Sequence, residues 1–252
     1  MRMMLALALC LVSPGFTCGS RAMAADRATT TVDIALVLAA DVSRSINSDE
    51  FDLQRKGYAA ALTDPGVLRA IAGGRHHAIA LAFVEWAGPD QQHTVVDWTV
   101  VRDEESAATI AQQVRTAPRS FIGRTAIGAA IDFARARLDA LPARSDKRVI
   151  DVSGDGTSNS GRAVDEARDA AVAAGITING LAIINNGINP AYSFHTDPPG
   201  GLPKYYEDNV IGGSGAFLLQ VENFESFADA ITRKLVAEIA ATAPRRQTAA
   251  LP

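Results

Sequence analysis

The chain has 252 residues, of which 48% are hydrophobic and 21% are charged, and its formal net charge at pH 7 is −4. This length and apolar content are sufficient for the core of a single globular domain. The mild acidity, together with the absence of any block of lysines and arginines from the sequence, argues against nucleic acid as a partner.

The first 24 residues have the pattern of a secretory signal peptide. Arg2 supplies a positive start, residues 3–12 are apolar, and Ala22-Met23-Ala24 is a small-x-small cleavage site. The apolar stretch is shorter than the roughly 20 residues that span a bilayer. We therefore expect cleavage near Ala24 and a periplasmic or secreted protein that is not stably inserted in the membrane. An uncleaved anchor is the alternative.

Both cysteines, Cys10 and Cys18, lie within this leader. The mature chain would therefore have no thiol, which excludes disulfides, cysteine nucleophiles and thiolate zinc sites. The four histidines have no metal-binding spacing, and we interpret the His76-His77 pair as the entry to a strand.

We predict a linker over residues 25–31, a single domain over 32–240 and a flexible tail over 241–252. Within the domain, apolar runs typical of strands alternate with amphipathic segments typical of helices. The predicted strands are 32–40, 78–84, 93–100, 148–153, 176–184 and 216–221. The predicted helices are 47–62, with Asn47 and Glu50 as a capping box, then 67–71, 104–116, 126–141, 163–174 and 224–240.

This alternation predicts an α/β fold with a mostly parallel sheet and helices on both faces. The third strand is more polar than the others, so we expect it at an edge of the sheet. Right-handed crossovers bring the carboxyl ends of the parallel strands to one edge, where open α/β sheets place their ligands.

Five oxygen-bearing side chains lie where a metal site at that edge would need them. Asp41, Ser43 and Ser45 follow the first strand, Asp155 follows the fourth, and Thr125 precedes a helix. In an extended loop, residues i, i+2 and i+4 project to one side. Hydroxyls and carboxylates suit a hard cation such as Mg²⁺, which takes about six oxygens and keeps some waters.

Each of these residues also has a simpler interpretation. The serines and Thr125 are residue types that cap helices, and Asp155 in Gly-Asp-Gly is typical of a turn. The joint alternative requires three independent caps or turns to gather at one edge with compatible ligand chemistry, so we favour the metal site.

The same five positions resemble the metal-ion-dependent adhesion site (MIDAS) of the von Willebrand factor type A (vWA) family. The flanking glycines in 123–128 and Gly156 with Asn159 also fit the family, and the similarity covers about residues 32–239. Two further stretches, 151–156 and 205–213, are similar to an uncharacterised group of exported bacterial proteins of this fold.

The resemblance implies a doubly wound six-stranded sheet of order 3-2-1-4-5-6. It also implies a divalent cation, Mg²⁺ or alternatively Mn²⁺ or Ca²⁺, whose coordination is completed by an acidic residue of a protein partner. We therefore expect a non-enzymatic binding or adhesion module. A metal-dependent hydrolase, or an assembly factor whose metal is purely structural, are the alternatives.

Three features depart from the family pattern. Asp151 places a carboxylate in a strand that is usually apolar, and Arg44 and Arg124 lie within the metal-binding loops. Both arginines are expected to face solvent or to attract an acidic partner. The segment 185–215 is long and contains four aromatic residues, which we interpret as packing in an Ω-like loop or, alternatively, as a second binding surface. These aromatic residues are Tyr192, Phe194, Tyr205 and Tyr206.

Overall fold

The structure is a computed structural model that describes residues 30–184 and 193–240. Its strands are β1 (Thr31–Asp41), β2 (Ile79–Trp86), β3 (Gln92–Val101), β4 (Arg144–Gly154), β5 (Thr177–Ile183) and β6 (Leu218–Val221). The described helices are α1 (Ser48–Leu62), α2 (Pro65–Ala72), α3 (Glu104–Thr116), α4 (Ile127–Asp139), α5 (Val164–Ala173), α6 (Ser193–Thr196), α7 (Leu202–Asn209) and α8 (Phe227–Ala240). The predicted signal peptide and the predicted tail lie outside the described residues.

The six strands form one sheet in the order β3-β2-β1-β4-β5-β6. All neighbouring strands are parallel except β2 and β3, which pair antiparallel. The predicted α/β class, the strand order and the edge position of β3 are therefore confirmed. None of the described helices is long and apolar enough to cross a membrane.

Two hydrophobic clusters cover the two faces of the sheet. Alternate residues of β1 point to opposite faces, so Leu36 and Leu38 pack in one cluster while Val37 and Ala39 pack in the other. The first cluster contains the inner faces of α1, α3 and α8, and the second contains those of α4, α5 and α7. Because both faces are covered, β1 is buried along almost its whole length, as is usual in parallel sheets.

Local sequence signals explain where several helices begin and end. Asn47 accepts hydrogen bonds from the backbone N–H groups of Asp49 and Glu50, and the Glu50 carboxylate accepts one from the Asn47 N–H. The predicted capping box is therefore confirmed. Gly175, with a φ of 74°, follows α5 and allows the chain to turn directly into β5.

The segment after β5 is more regular than we predicted. Within the predicted loop 185–215 the chain forms α7, and Gly212 pairs with Ile178 of β5 in an isolated bridge. Leu202 and Tyr206 give α7 an apolar face that packs into the second cluster. The interpretation of the whole segment as a loop was wrong. A helix of only eight residues does not give a clear periodic pattern when the residues on either side are rich in glycine and proline.

Asp151 is the carboxylate that departs from the usual apolar pattern of its strand. Its charge is compensated by Lys234 of α8. Its Oδ1 lies 2.7 Å from Lys234 Nζ, which also lies 2.6 Å from Glu238 Oε1. Asn179 of β5 donates to the same Glu238 oxygen at 2.7 Å. All four side chains are fully buried. We call these four residues the buried charge network, and it joins α8 to β4 and β5.

Burial raises the pKa of Asp151 to about 7, Glu238 raises it as well, and Lys234 lowers it. Burial alone would lower the pKa of Lys234, but the coulombic attraction of Asp151 and Glu238 raises it above its ordinary value. The lysine therefore stays charged, and the network binds a proton on Asp151 as the pH falls below about 7.

A close helix contact gives a testable prediction about packing. A Cβ at Gly57 in α1 would lie 2.6 Å from Phe227 Cδ1 and 3.2 Å from Ala228 Cα. We expect Gly57→Ala to cost about 1–3 kcal/mol of overpacking, partly offset by about 1 kcal/mol of better helix propensity. Urea unfolding checks this. The cost should shrink in a Phe227→Leu background, and an equal cost in both backgrounds would contradict the steric explanation.

Candidate metal centre

The fold brings the five predicted oxygen side chains to the carboxyl edge of the sheet. Asp41 is the last residue of β1, and Asp155 directly follows β4, the parallel neighbour of β1. Thr125 lies two residues before α4. Asp41, Ser43, Thr125 and Asp155 are buried and Ser45 is half-buried. The predicted convergence of three loops is therefore what the structure shows.

Hydrogen bonds connect the first loop to the third. The Ser43 N–H donates to Asp41 Oδ1 at 2.7 Å, which fixes the turn after β1. The hydroxyls of Ser43 and Ser45 lie 3.2 Å apart, and the Ser45 hydroxyl donates to Asp155 Oδ1 at 2.6 Å. The Ser45 hydroxyl is thus directed toward Asp155, and the Ser43 hydroxyl lies beside it. Residues 43–46 form a turn, so the extended conformation that the i, i+2, i+4 argument assumed is wrong.

None of the hydroxyl residues is the helix cap that the simpler interpretation required. Asn47 caps α1 in place of the two serines. At α4 the N-cap position is Ala126, which makes no side-chain capping bond. The Thr125 N–H instead donates to Asn159 Oδ1 at 3.0 Å, which links the second loop to the third.

The electrostatics of the two carboxylates favour a cation between the loops. Asp41 and Asp155 are both fully buried. Among the described residues, no group donates a hydrogen bond to Asp41 Oδ2. Burial raises the pKa of Asp41 well above its ordinary value, and the nearby charge of Asp155 raises it further. A divalent cation among these oxygens would offset both the missing hydrogen bond and the repulsion.

Arg119 holds the backbone of the first loop, a role that no sequence pattern indicates. Its Nη2 donates to the carbonyl oxygens of Val42 and Ser43 at 2.8 and 2.7 Å, and its guanidinium carbon lies 5.4 Å from the ring centroid of Phe51. The Ser120 N–H next to it donates to the buried Glu85 at 2.8 Å. Arg119 thereby connects the segment that leads to Thr125 with the loop that contains Ser43 and Ser45.

His195 in α6 is a second site residue that the sequence analysis missed. Its Nε2 lies 3.0 Å from Thr125 Oγ1, and its Nδ1 lies 3.1 Å from Thr157 Oγ1. The Thr157 N–H donates to the His195 carbonyl oxygen at 3.0 Å. Burial lowers the pKa of His195 below its ordinary value. One feature of the sequence could have indicated this role. The segment that contains His195 follows β5, so it begins at the carboxyl edge of the sheet.

A surface cleft of about 210 Å³ contains the exposed side of this centre. The residues that line it are Arg44, Ser45, Gly123, Arg124, Thr125, Asn159 and His195. Arg44 and Arg124 are exposed, as expected. Two large apolar side chains adjoin the lining residues and face solvent: Ile122 is 64% exposed and Phe194 is 93% exposed. The cleft therefore has a basic rim, and exposed apolar side chains lie at the chain positions directly before Gly123 and His195.

Tyr205 and Tyr206 pack as the favoured interpretation predicted, whereas for the exposed Phe194 that interpretation was wrong. Tyr206 is fully buried, and Tyr205 accepts a hydrogen bond from the Ser158 N–H at 3.2 Å. Tyr192 lies outside the described residues. A Cβ at Gly154 would lie 2.7 Å from the Tyr206 hydroxyl and 2.9 Å from Asp41 Oδ2, so only glycine fits between them.

A second group of ligand-type side chains lies at the opposite edge of the sheet. Atoms of Asp33, His76 and Asp146 lie within 4.8 Å of one another. Asp33 Oδ1 accepts from the His76 N–H at 2.9 Å, and His76 Nε2 lies 3.2 Å from Asp146 Oδ2. The spacing of the histidines did not reveal this group. His77 has a φ of 52° and β2 begins at Ile79, so the pair belongs to the turn before the strand.

The fold is similar to that of several solved structures. The pilus adhesin SpaC from Lactobacillus rhamnosus GG is 12% identical with a TM-score of 0.61, covering 84% of this chain and 31% of that one. A von Willebrand factor type A protein from Catenulispora acidiphila is 15% identical with a TM-score of 0.55, covering 84% and 43%. Proximal thread matrix protein 1 from the mussel byssus, in a structure with a zinc-occupied MIDAS motif, is 16% identical with a TM-score of 0.57, covering 84% and 49%.

This chain therefore spans less than half the length of each of these structures, and identities this low show the fold alone. No curated protein matches the sequence. The family model described as "Protein of unknown function (DUF1194)" matches residues 31–243. Together with the vWA-type sheet order, this match shows that the chain belongs to the DUF1194 family and has the fold of vWA domains.

Proposed function

We propose that this protein is an exported binding module that engages an acidic group of a protein partner through a divalent cation. The proposed ligands of the cation are Asp41, Ser43, Ser45, Thr125 and Asp155. The observation that carries the proposal is the fully buried Asp41 carboxylate beside Asp155, with an Oδ2 that accepts no hydrogen bond from any described residue.

The donor set supports a hard cation. Two carboxylates and three hydroxyls are all oxygen ligands, which suits Mg²⁺ or alternatively Mn²⁺ or Ca²⁺. When bound, the cation would supply a positive centre at the base of the cleft. The chain's own groups orient the ligands: the Ser43 N–H fixes Asp41, and Asn159 fixes Thr125.

The rim of the cleft supports an acidic partner. Arg44 and Arg124 place positive charge beside the site, which favours the approach of a carboxylate. Exposed Ile122 and Phe194 add apolar surface of the kind found in protein interfaces. A structural neighbour of the chain is named as a pilus adhesin. Export rests on the leader pattern of residues 1–24.

The metal part of the proposal is tested by calorimetric titration of metal-stripped protein with Mg²⁺ and Mn²⁺. We expect saturable binding of one ion at the centre, abolished by Asp155→Ala. Asp165→Ala is the matched control, because it removes an exposed carboxylate from the first turn of α5 and should leave binding unchanged. Equal binding by the wild type and Asp155→Ala would overturn the proposed site.

The binding part is tested by capture from an envelope extract on the immobilised protein, with Mg²⁺ or with EDTA. We expect a partner that is retained with Mg²⁺, released by EDTA and not captured by Asp155→Ala, whereas Asp165→Ala captures it normally. A partner that binds the metal-free protein equally well would show that the metal is structural. Turnover of phosphoesters that Asp155→Ala abolishes would instead establish the hydrolase alternative.

A further inference from the structure

His195 lies within hydrogen-bond distance of Thr125, one of the proposed ligands. Its Nε2 lies 3.0 Å from Thr125 Oγ1, and both side chains line the same cleft as Ser45. Two neighbouring ligands that each lie about 2.1 Å from a metal ion are about 3.0 Å apart in an octahedral site and about 3.4 Å apart in a tetrahedral one. The hydroxyls of Ser43 and Ser45 are separated by a similar 3.2 Å. The imidazole nitrogen therefore stands at the spacing of a neighbouring ligand.

The ring is also fixed in the way that metal-binding histidines are usually fixed. A ligating imidazole commonly donates its second N–H to an oxygen, which selects the tautomer with a lone pair directed at the metal. Here Nδ1 lies 3.1 Å from the Thr157 hydroxyl, which leaves Nε2 for the cleft. The backbone hydrogen bond from Thr157 to the His195 carbonyl oxygen holds α6 against the same loop.

Gly156 makes this approach sterically feasible. A Cβ at position 156 would lie 2.6 Å from His195 Cε1 and 2.7 Å from Cδ2, so any larger residue would push the ring out of the cleft. The chain thus has a glycine, a hydroxyl and a backbone bond that all position one imidazole beside the oxygen ligands.

We propose that His195 Nε2 is an additional, nitrogen ligand of the cation, positioned by Thr157, and that it selects Zn²⁺ or a similar transition-metal ion over Mg²⁺. This inference rests on the proposed function, since it concerns the same cation. Imidazole favours zinc and its neighbours in the transition series, whereas an all-oxygen site favours magnesium. With the cation bound, an incoming carboxylate of a partner would have to take the place of His195 or of a weaker ligand.

The test compares the Zn²⁺ and Mg²⁺ affinities of metal-stripped protein by chelator competition. We expect Thr157→Val to weaken Zn²⁺ binding about 10–100-fold, as loss of a histidine's orienting partner does, and His195→Ala to weaken it at least as much. Mg²⁺ affinity should change less than about threefold in both, since magnesium depends on the oxygen ligands. Gly156→Ala should weaken Zn²⁺ binding without removing any ligand.

A spectroscopic measurement on the wild type avoids dependence on any variant's folding. Electron spin-echo modulation of the Mn²⁺-loaded protein should show coupling to a ¹⁴N nucleus, and the coupling should vanish in His195→Ala. His76→Ala is the matched control for a histidine in the other Asp/His/Asp group, and it should keep the signal.

The outcomes separate this inference from the proposed function. Absence of ¹⁴N coupling in the wild type, its loss in His76→Ala, or an unchanged Zn²⁺-to-Mg²⁺ ratio in His195→Ala would each overturn the role of His195. In those cases, metal binding that Asp155→Ala still abolishes would leave the proposed function intact. Full metal binding by Asp155→Ala would overturn both.

Discussion

Lys234→Met should be among the most destabilising single substitutions in this protein. Lys234 is fully buried between Asp151 and Glu238, and its removal leaves both carboxylates in the interior without a cation. Removing one partner of a buried ion pair typically costs about 3–5 kcal/mol. We expect a loss of this size at pH 8 in urea unfolding. At pH 5 the loss should be smaller, because protonation neutralises the Asp151 carboxylate, whose pKa is raised by burial.

Asp151→Asn is the matched control, because it removes one carboxylate and leaves the 2.6 Å pair of Lys234 and Glu238. The sign of its pH effect follows from the raised pKa of Asp151, about 7 against an ordinary 3.8. Between these values the folded protein binds more protons than the unfolded chain, so the contribution of Asp151 to stability falls as the pH rises from about 4 to 7.

The free energy of unfolding of Asp151→Asn should therefore fall less than that of the wild type as the pH rises from about 4 to 7. At pH 8 the substitution should cost less than about 1 kcal/mol. A Lys234→Met protein as stable at pH 8 as Asp151→Asn would contradict the assignment of Lys234 as the neutralising cation.

Metal should raise the free energy of unfolding of the wild type and leave that of Asp41→Asn unchanged. At a free Mg²⁺ or Mn²⁺ concentration about 100 times the dissociation constant, the expected gain is about 2.7 kcal/mol. The asparagine keeps the oxygen that accepts from the Ser43 N–H and removes the buried charge beside Asp155. Metal-free Asp41→Asn should accordingly be at least as stable as metal-free wild type.

Chemical unfolding with Mg²⁺ and with EDTA checks this second prediction, and Asp165→Ala is the control that should respond to metal like the wild type. A metal response that persists in Asp41→Asn would show that the ion binds elsewhere, for which Asp33, His76 and Asp146 are the other group of potential ligands in the described residues.

The sequence was sufficient for the sheet and for the convergence of the five oxygen side chains. Continuous apolar runs identify the parallel strands, and the handedness of the crossovers then decides which loops share an edge. Asp41 and Asp155 could therefore be placed at one edge before any coordinates were available, because each directly follows a strand. Their role in holding a metal stays a prediction.

The side chains that approach this site from distant parts of the chain were not predictable. His195 lies 40 positions beyond Asp155 in a segment rich in glycine and proline, and its partner Thr157 has no pattern that marks it. Arg119 acts through backbone carbonyl oxygens, which every residue possesses. Local patterns do not encode such contacts, since they depend on how loops pack after the sheet has formed.

Asp151 is an intermediate case. Its position in an apolar strand was recognised as a departure from the family pattern, but its partner, Lys234, lies 83 residues away in a helix whose pattern is otherwise amphipathic. Lys234 and Glu238 are the two charged residues buried on the inner face of α8, whose other buried residues are apolar. The sequence thus identified the unusual carboxylate, and the structure showed which residue pairs with it.

The parallel topology also determines how the molecule would present its site. Thr30, before β1, accepts a hydrogen bond from the Arg144 N–H at the amino end of β4, so it lies at the edge opposite the cleft. The last turns of α8 return to that edge, where Val236 lies near Gly66 at the start of α2. Both ends of the described domain therefore leave from the side facing away from Asp41. An anchor, a neighbouring domain or a sensor chip attached at either end would lie at the edge of the sheet opposite the cleft.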